Sequence, residues 1–126
     1  MRAVDTNVLV RLITRDDPRQ AASAEVFVKP GAWVSILALA EATWVLTTVY
    51  ERSAAQLATA IEVLLNHNEL VFQDSDVVAA ALELFRSRPS LSFSDCLMLH
   101  VARKAGHLPL GTFDRNLGRV AGAHKL

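Results

Sequence analysis

Four carboxylates in this sequence stand where carboxylates are uncommon. Asp5 closes a short apolar run, Glu41 lies inside the apolar stretch 36–46, Asp95 opens an apolar helix, and Asp114 follows the apolar run 108–113. A carboxylate among apolar neighbours is costly unless it is paired or binds a cation. Several carboxylates brought to one place repel each other, and a divalent cation removes the repulsion. All-oxygen ligands suit Mg²⁺ or Mn²⁺, which keep several waters. Such a site suits phosphodiester hydrolysis. The metal makes water a stronger nucleophile and stabilises the leaving oxygen, so no covalent nucleophile is needed.

Each acid also has a purely architectural reading. Asp5 and Asp114 sit where a strand turns into a helix, the usual place for an Asp N-cap. Ser92-x-x-Asp95 matches a capping box, and an acid in a first turn favours the helix dipole. Glu41 can lie on the wet edge of its helix. Convergence of the four on one mouth of a sheet is what separates chemistry from capping. Other chemistries find no support. Cys96 is the only cysteine, and none of His67, His100, His107 and His124 has metal-site spacing, which argues against zinc. His100 falls about 140° around a helix from Asp95. There is no Gly-rich phosphate loop, no G-x-S-x-G and no C-x-x-C pair.

The elements that must position these acids alternate along the chain. A short strand at 2–5 leads into a helix near 7–14. Asp17-Pro18, an N-cap with proline at the first helical position, starts a helix to about Val28. Pro30-Gly31 is a break, 32–35 a strand, and a long helix runs through Glu41 to about Tyr50. Ser53 caps a helix to about Asn66, with Leu57, Ile61, Leu64 and Leu65 at helical spacing. Residues 70–72 form a short strand, Asp74 or Ser75 opens a helix to about Ser87, and Ser92 or Ser94 opens another to about Lys104, closed by Gly106. Residues 108–112 are a strand, a short helix follows Asp114, and the last residues supply a fifth strand. Short strands alternating with longer helices predict an α/β fold: a mostly parallel sheet covered by helices on both faces, with right-handed crossovers. Sites in such folds form beyond the carboxyl ends of the strands. Asp5, Thr112 and Asp114 sit there.

Composition sets the class. The chain has 126 residues, 52% of them apolar, with five Gly and four Pro, which excludes disordered and collagen-like chains and predicts a single domain over 1–126. No charge-free run reaches the ~18 residues of a membrane span, and the carboxylate at residue 5 argues against a signal peptide. The expected location is cytoplasmic. Net charge is zero, but it is segregated: +1 over residues 1–40, −6 over 41–85 and +5 over 86–126. The basic last third can supply a local patch for a polyanion.

In order and spacing, Val4-Asp5-Thr6-Asn7-Val8-Leu9, the helix holding Glu41, Phe93-Ser94-Asp95-Cys96-Leu97 and Gly111-Thr112-Phe113-Asp114-Arg115 resemble the PIN-domain family. Within it the chain is most similar to the VapC-type toxins of type II toxin–antitoxin pairs, over essentially its whole length. The resemblance implies a three-layer α/β/α sandwich with a short, mostly parallel central sheet of four or five strands. It implies an Mg²⁺-dependent endoribonuclease, with Mn²⁺ as a substitute, acting on single-stranded or looped RNA. Asp5, Glu41, Asp95 and Asp114 would form the acidic quartet. Asp5 and Asp95 would be the main metal ligands, with Asp114 assisting. Glu41 would act through water. Asn7 would hold the Asp5 turn, and Thr6 or Thr112 would orient a carboxylate or water. Asn116 stands where the family often has a further acid, which weakens a second metal site. Cys96, where the family commonly has Ala, is expected to pack without a redox role.

Arg11, Arg15, Arg103, Lys104, Arg115 and Arg119 are the candidate phosphate contacts. Trp33, Trp44 and Tyr50 lie in apolar segments and are expected in the core or at an interface, not as base-stacking platforms. The resemblance also implies a homodimer and a small antitoxin whose tail lies against the first helices. Two alternatives stand beside it. One is a PIN-like RNA- or protein-binding module without catalysis. The other is a haloacid-dehalogenase-like phosphatase with Asp5 as nucleophile, disfavoured by Asn7 and by the scarcity of lysines (Lys29, Lys104 and Lys125).

Overall fold

Local signals start and stop most of the helices. The computed structural model describes all residues 1–126, in two compact units, Met1–Ser75 and Asp76–Leu126. In the first unit, β1 (Arg2–Ala3) leads into α1 (Thr6–Thr14), where Asp5 is the N-cap and accepts from Val8 N at 3.2 Å. α1 ends at Arg15, whose φ of 51° breaks the helix. Asp17 caps α2 (Pro18–Val28) by accepting from the backbone N–H groups of Arg19 and Gln20. β2 (Ala32–Val34) follows, then α3 (Ile36–Thr48), capped by Ser35. α4 (Ala54–Leu65) opens on a full capping box between Ser53 and Gln56, and β3 (Leu70–Phe72) follows.

The three strands pair in the order β1-β2-β3, all parallel, with Ala3 opposite Trp33 and Trp33 opposite Val71. Parallel pairing requires the helical crossovers α1–α2 and α3–α4. It also sets the carboxyl ends of β1 and β2 at one edge, where α1 and α3 begin. Leu9, Val10, Val28, Val34, Leu39, Leu46, Ile61 and Leu64 are fully buried. Each such side chain stabilises the unit by about 1.5–3 kcal/mol.

One polar network ties the far end of α1 to the helices beside it. Arg11 donates from Nε to Gln20 Oε1 at 2.6 Å, and from Nη1 to Tyr50 Oη at 2.9 Å and Asp16 Oδ1 at 3.3 Å. Tyr50 in turn donates to Asp16 Oδ2 at 2.8 Å. The Tyr50 hydroxyl, followed by the Thr14 hydroxyl and the Arg11 charge, holds the Asp16 carboxyl below its ordinary value. A lowered carboxyl pKa stabilises the fold above the unfolded-state value. That contribution is lost as pH falls through the folded value, so this corner loosens only in acid. In Tyr50→Phe the Asp16 carboxyl is expected to titrate at higher pH, followed by the NMR shift of its side-chain carbon. An unchanged titration would show that the hydroxyl is not the cause.

The second unit holds α5 (Ser75–Ser87, its first residue belonging to the first unit), α6 (Phe93–Ala105), β4 (Leu110–Thr112), a 3₁₀ turn (Leu117–Arg119) and β5 (Ala123–Lys125). α6 is capped by Ser92 and stopped by Gly106 at φ 82°. β4 and β5 form a parallel two-stranded ladder. Pro109 has no N–H to give, so the ladder begins at Leu110, whose N–H donates to Gly122 O at 2.8 Å. Gly122 has φ 94°, a left-handed conformation that favours glycine, and a Cβ there would only displace the mobile end of Arg103, 2.9 Å away. Val78, Ala81, Cys96, Leu97 and Leu99 are buried, and Phe85 and Phe93 meet edge to face with centroids 5.8 Å apart.

The fold class is the α/β arrangement expected, with every strand pair parallel. Strand ends are shorter than the apolar runs suggest, and the five strands divide into ladders of three and two. No helix is long and apolar enough to cross a membrane.

Candidate active site

Asp5 lies two residues past the end of β1, in extended conformation, and its side chain is exposed. One carboxylate oxygen serves as the cap of α1, and Oδ2 accepts nothing. Thr6, the first residue of α1, donates its hydroxyl to Glu41 Oε2 at 2.9 Å. That bond joins the start of α1 to the second turn of α3 across 35 residues of sequence. It sets the Asp5 turn and the Glu41 carboxylate side by side in the first unit. Asn7, exposed, lines a cavity of about 310 Å³ between α1 and α2 together with Val8, Arg11, Gln20, Ser23, Ala24 and Phe27.

Glu41 corrects one expectation. It is not embedded among apolar side chains. α3 buries Ala38, Leu39, Ala42, Thr43 and Leu46, and Glu41 lies on the opposite, exposed side. An apolar neighbourhood in sequence is not one in space when the helix turns its residues apart. The carboxylate is therefore solvated, held on one oxygen by Thr6 and open on the other. Trp44 is 62% exposed and lies outside the core, so of the two places expected for it, core or interface, the core is excluded.

In the second unit, Ser92 Oγ accepts from Asp95 N at 3.1 Å, which is half of a capping box. The Asp95 carboxylate does not return the bond, and both of its oxygens are free of protein donors. Asp114 accepts from Leu117 N, the first N–H of the 3₁₀ turn, through Oδ1 at 2.7 Å, and its own N–H donates to Thr112 Oγ1 at 3.0 Å. Thr112 thereby orients the backbone that carries Asp114, and the Asn116 side chain is exposed and unengaged. The N-cap reading is thus correct for Asp5, whereas Asp114 bonds the 3₁₀ turn from two residues before its N-cap, Asn116. Neither bond competes with ligation, since each occupies one oxygen of two.

The neighbours of Asp95 are inert. Burial, and then the Asp95 charge, push the Cys96 thiol up to about 12. Only the thiolate is nucleophilic, so native protein at neutral pH is expected to resist iodoacetamide, while urea-unfolded protein reacts. Labelling of the folded chain at the unfolded rate would contradict that packing. His100 is held below its ordinary value by burial and then by Arg103, against Glu83, so it stays neutral.

The six basic candidates sort themselves. Arg11 belongs to the Asp16–Tyr50 network, Arg15 pairs with Glu25 at 2.6 Å, Arg103 donates to Ala121 O at 3.0 Å, and Lys104 holds Asp76 at 2.9 Å. Arg115 and Arg119 are exposed and keep their guanidiniums free. The Arg11–Tyr50 contact carried no sequence signal, because its partners lie 39 residues apart.

No three His, Cys, Asp or Glu side chains gather into a metal-holding group. The donor set nonetheless fits Mg²⁺ in kind, because that ion is commonly bound through one or two carboxylates with waters and substrate phosphate completing its shell. Comparison with curated proteins and with solved structures returns no significant match. The family model of the PIN domain matches residues 2–123, nearly the whole chain and both of its compact units. PIN domains make up a superfamily of nuclease-like hydrolases, and this chain belongs to the PIN-domain family.

Proposed function

We propose that the protein is a metal-dependent endoribonuclease that hydrolyses single-stranded or looped RNA, residues 1–126 acting as one catalytic domain. The observation that carries this reading, beside the family, is that Asp5, Glu41, Asp95 and Asp114 each keep at least one carboxylate oxygen free of any protein donor. Mg²⁺, or Mn²⁺ in its place, would withdraw charge from the phosphodiester and make water a better nucleophile when bound. Asp5, Asp95 and Asp114 are the proposed ligands. Glu41, steadied by Thr6, orients the attacking water and takes its proton. Thr112 supports the Asp114 turn, the Asn7 side chain makes no hydrogen bond to the Asp5 turn that it was expected to hold, and Asn116 can offer an amide oxygen. Arg115 and Arg119 are the proposed phosphate contacts.

The toxin role in a type II toxin–antitoxin pair, a small antitoxin partner and a homodimer are part of the same proposal, on the sequence resemblance. Purified protein is expected to cut unstructured RNA with Mg²⁺ or Mn²⁺ and to stop with EDTA. The absence of a gathered three-carboxylate group favours a second reading, a PIN-like binding module without catalysis. A cation that binds only the folded state raises the melting temperature. No cleavage and no thermal shift with Mg²⁺ would select the binding module.

A further inference from the structure

Phe113 is the most exposed of the large apolar side chains, at 81%, and it stands between Thr112 and the Asp114 carboxylate. The turn that carries it is fixed on both sides. Before it, Thr112 ends β4, and the Thr112 carbonyl accepts from Leu126 N at 2.8 Å. After it, Asp114 donates its N–H to Thr112 Oγ1, accepts from Leu117 N through Oδ1, and accepts from Gly118 N through its carbonyl at 2.9 Å. This backbone holds the ring out in water, with no aromatic or cationic partner. The surroundings are cationic. Residues 112–126 hold three basic groups, Arg115, Arg119 and Lys125, against one acid, Asp114. All three are exposed, and none has an acidic partner. The β4–β5 ladder sets Lys125 opposite Thr112, the residue before the ring. The 3₁₀ turn lies against the same lysine: a Cβ on Gly118 would be 2.7 Å from Lys125 Cβ.

We propose that Phe113 is a stacking platform for a base of single-stranded RNA, with Lys125 joining Arg115 and Arg119 on the flanking phosphates. This rests on the nuclease reading and deepens it, by naming the surface that holds the substrate strand at the Asp114 carboxylate. Sites for single strands combine these two features: cations that track the backbone and a ring on which a base stacks. A single strand offers an unstacked base and a duplex withholds it, so a ring in this place selects unstructured RNA. Stacking is also indifferent to sequence, since every base has a π-face.

The test uses full-length protein carrying Asp5→Asn, which is expected not to cut, titrated by anisotropy with a short unstructured RNA oligonucleotide in Mg²⁺. In that background Phe113→Ala should raise the Kd about tenfold. Phe113→Trp should restore the affinity, and Phe113→Leu, apolar but without a π-face, should not. Lys125→Ala should lower the slope of log Kd against log salt by about 0.7, the share of one phosphate on a single strand. Both side chains are exposed, so every variant should melt like its parent. An unchanged Kd in Phe113→Ala, full rescue by Phe113→Leu, an unchanged slope in Lys125→Ala, or no RNA binding by the parent would overturn the proposal. So would a dimer lost in Phe113→Ala with RNA affinity intact, which would give the ring to a second copy. RNA affinity that depends on Phe113, without Mg²⁺-dependent cleavage by the wild-type protein, would sink the nuclease reading alone. Cleavage by the wild-type protein with a Kd indifferent to residue 113 would sink only the stacking.

Discussion

Asp5→Asn is expected to lower RNA cleavage by at least about 100-fold while leaving the melting temperature nearly unchanged. The two halves of that expectation come from the two oxygens of one side chain. Oδ1 accepts the Val8 N–H and caps α1, and the Asn carbonyl does the same, Asn and Asp being equal as N-caps. The other oxygen carries the charge, which Asn removes. Asp5→Ala removes both and should lose about 1 kcal/mol of stability besides activity. That difference melts a domain of this size roughly 3–6 °C earlier. Asp114→Asn should behave as Asp5→Asn does, because its bond to Leu117 N also survives. Asp95→Asn should abolish cleavage with no effect on capping, since the cap of α6 is Ser92. The measurements are initial cleavage rates with Mg²⁺ and thermal melting on the same preparations. Full activity in both Asp5→Asn and Asp95→Asn would falsify the nuclease reading. Inactivity that tracks a lost melting transition would mean the acids matter only to folding.

Punctuation was the legible part of this fold. Asp17-Pro18, Ser53 and Gly106 mark helix ends by local chemistry, and α2, α4 and α6 begin or end within a residue of those marks. The spans of β3 and α5 were legible for the same reason, bounded by polar residues on both sides. Burial was less so. α3 is apolar nearly all round, so its sequence gives no phase, and only packing against α1 decides that Glu41 and Trp44 face water. Side-chain commitments were not legible at all. Arg11, Arg15, Arg103 and Lys104 look like free cations in a list of residues, yet each finds an acceptor that folding brings near. The four acids lie between these cases: their strand-end and helix-start positions were readable, but which oxygen each keeps free was not.

Phe93→Ala should be the most damaging single truncation in the second unit. Phe93 is 2% exposed and is the first residue of α6. Its ring meets Phe85 of α5 at an interplanar angle of 85°, the edge-to-face geometry that adds to simple burial. Cutting a buried Phe to Ala removes its transfer free energy and leaves a cavity, together about 3–5 kcal/mol. Against a net stability of about 5–15 kcal/mol, that is enough to bring the melting transition close to physiological temperature. Phe93→Leu fills most of the space and should cost far less. Urea unfolding of the three proteins measures this directly, and a loss below about 1 kcal/mol for Ala would mean that the cavity collapses at little cost. The same substitution probes the site, because Asp95 lies two residues on, in the turn that Phe93 anchors. Ser92 still caps the helix in the variant. If Phe93 acts by packing alone, cleavage should persist well below the lowered melting point and vanish with the fold. If cleavage is lost while the chain is still folded, the ring is fixing the orientation of the Asp95 carboxylate as well as holding the unit together.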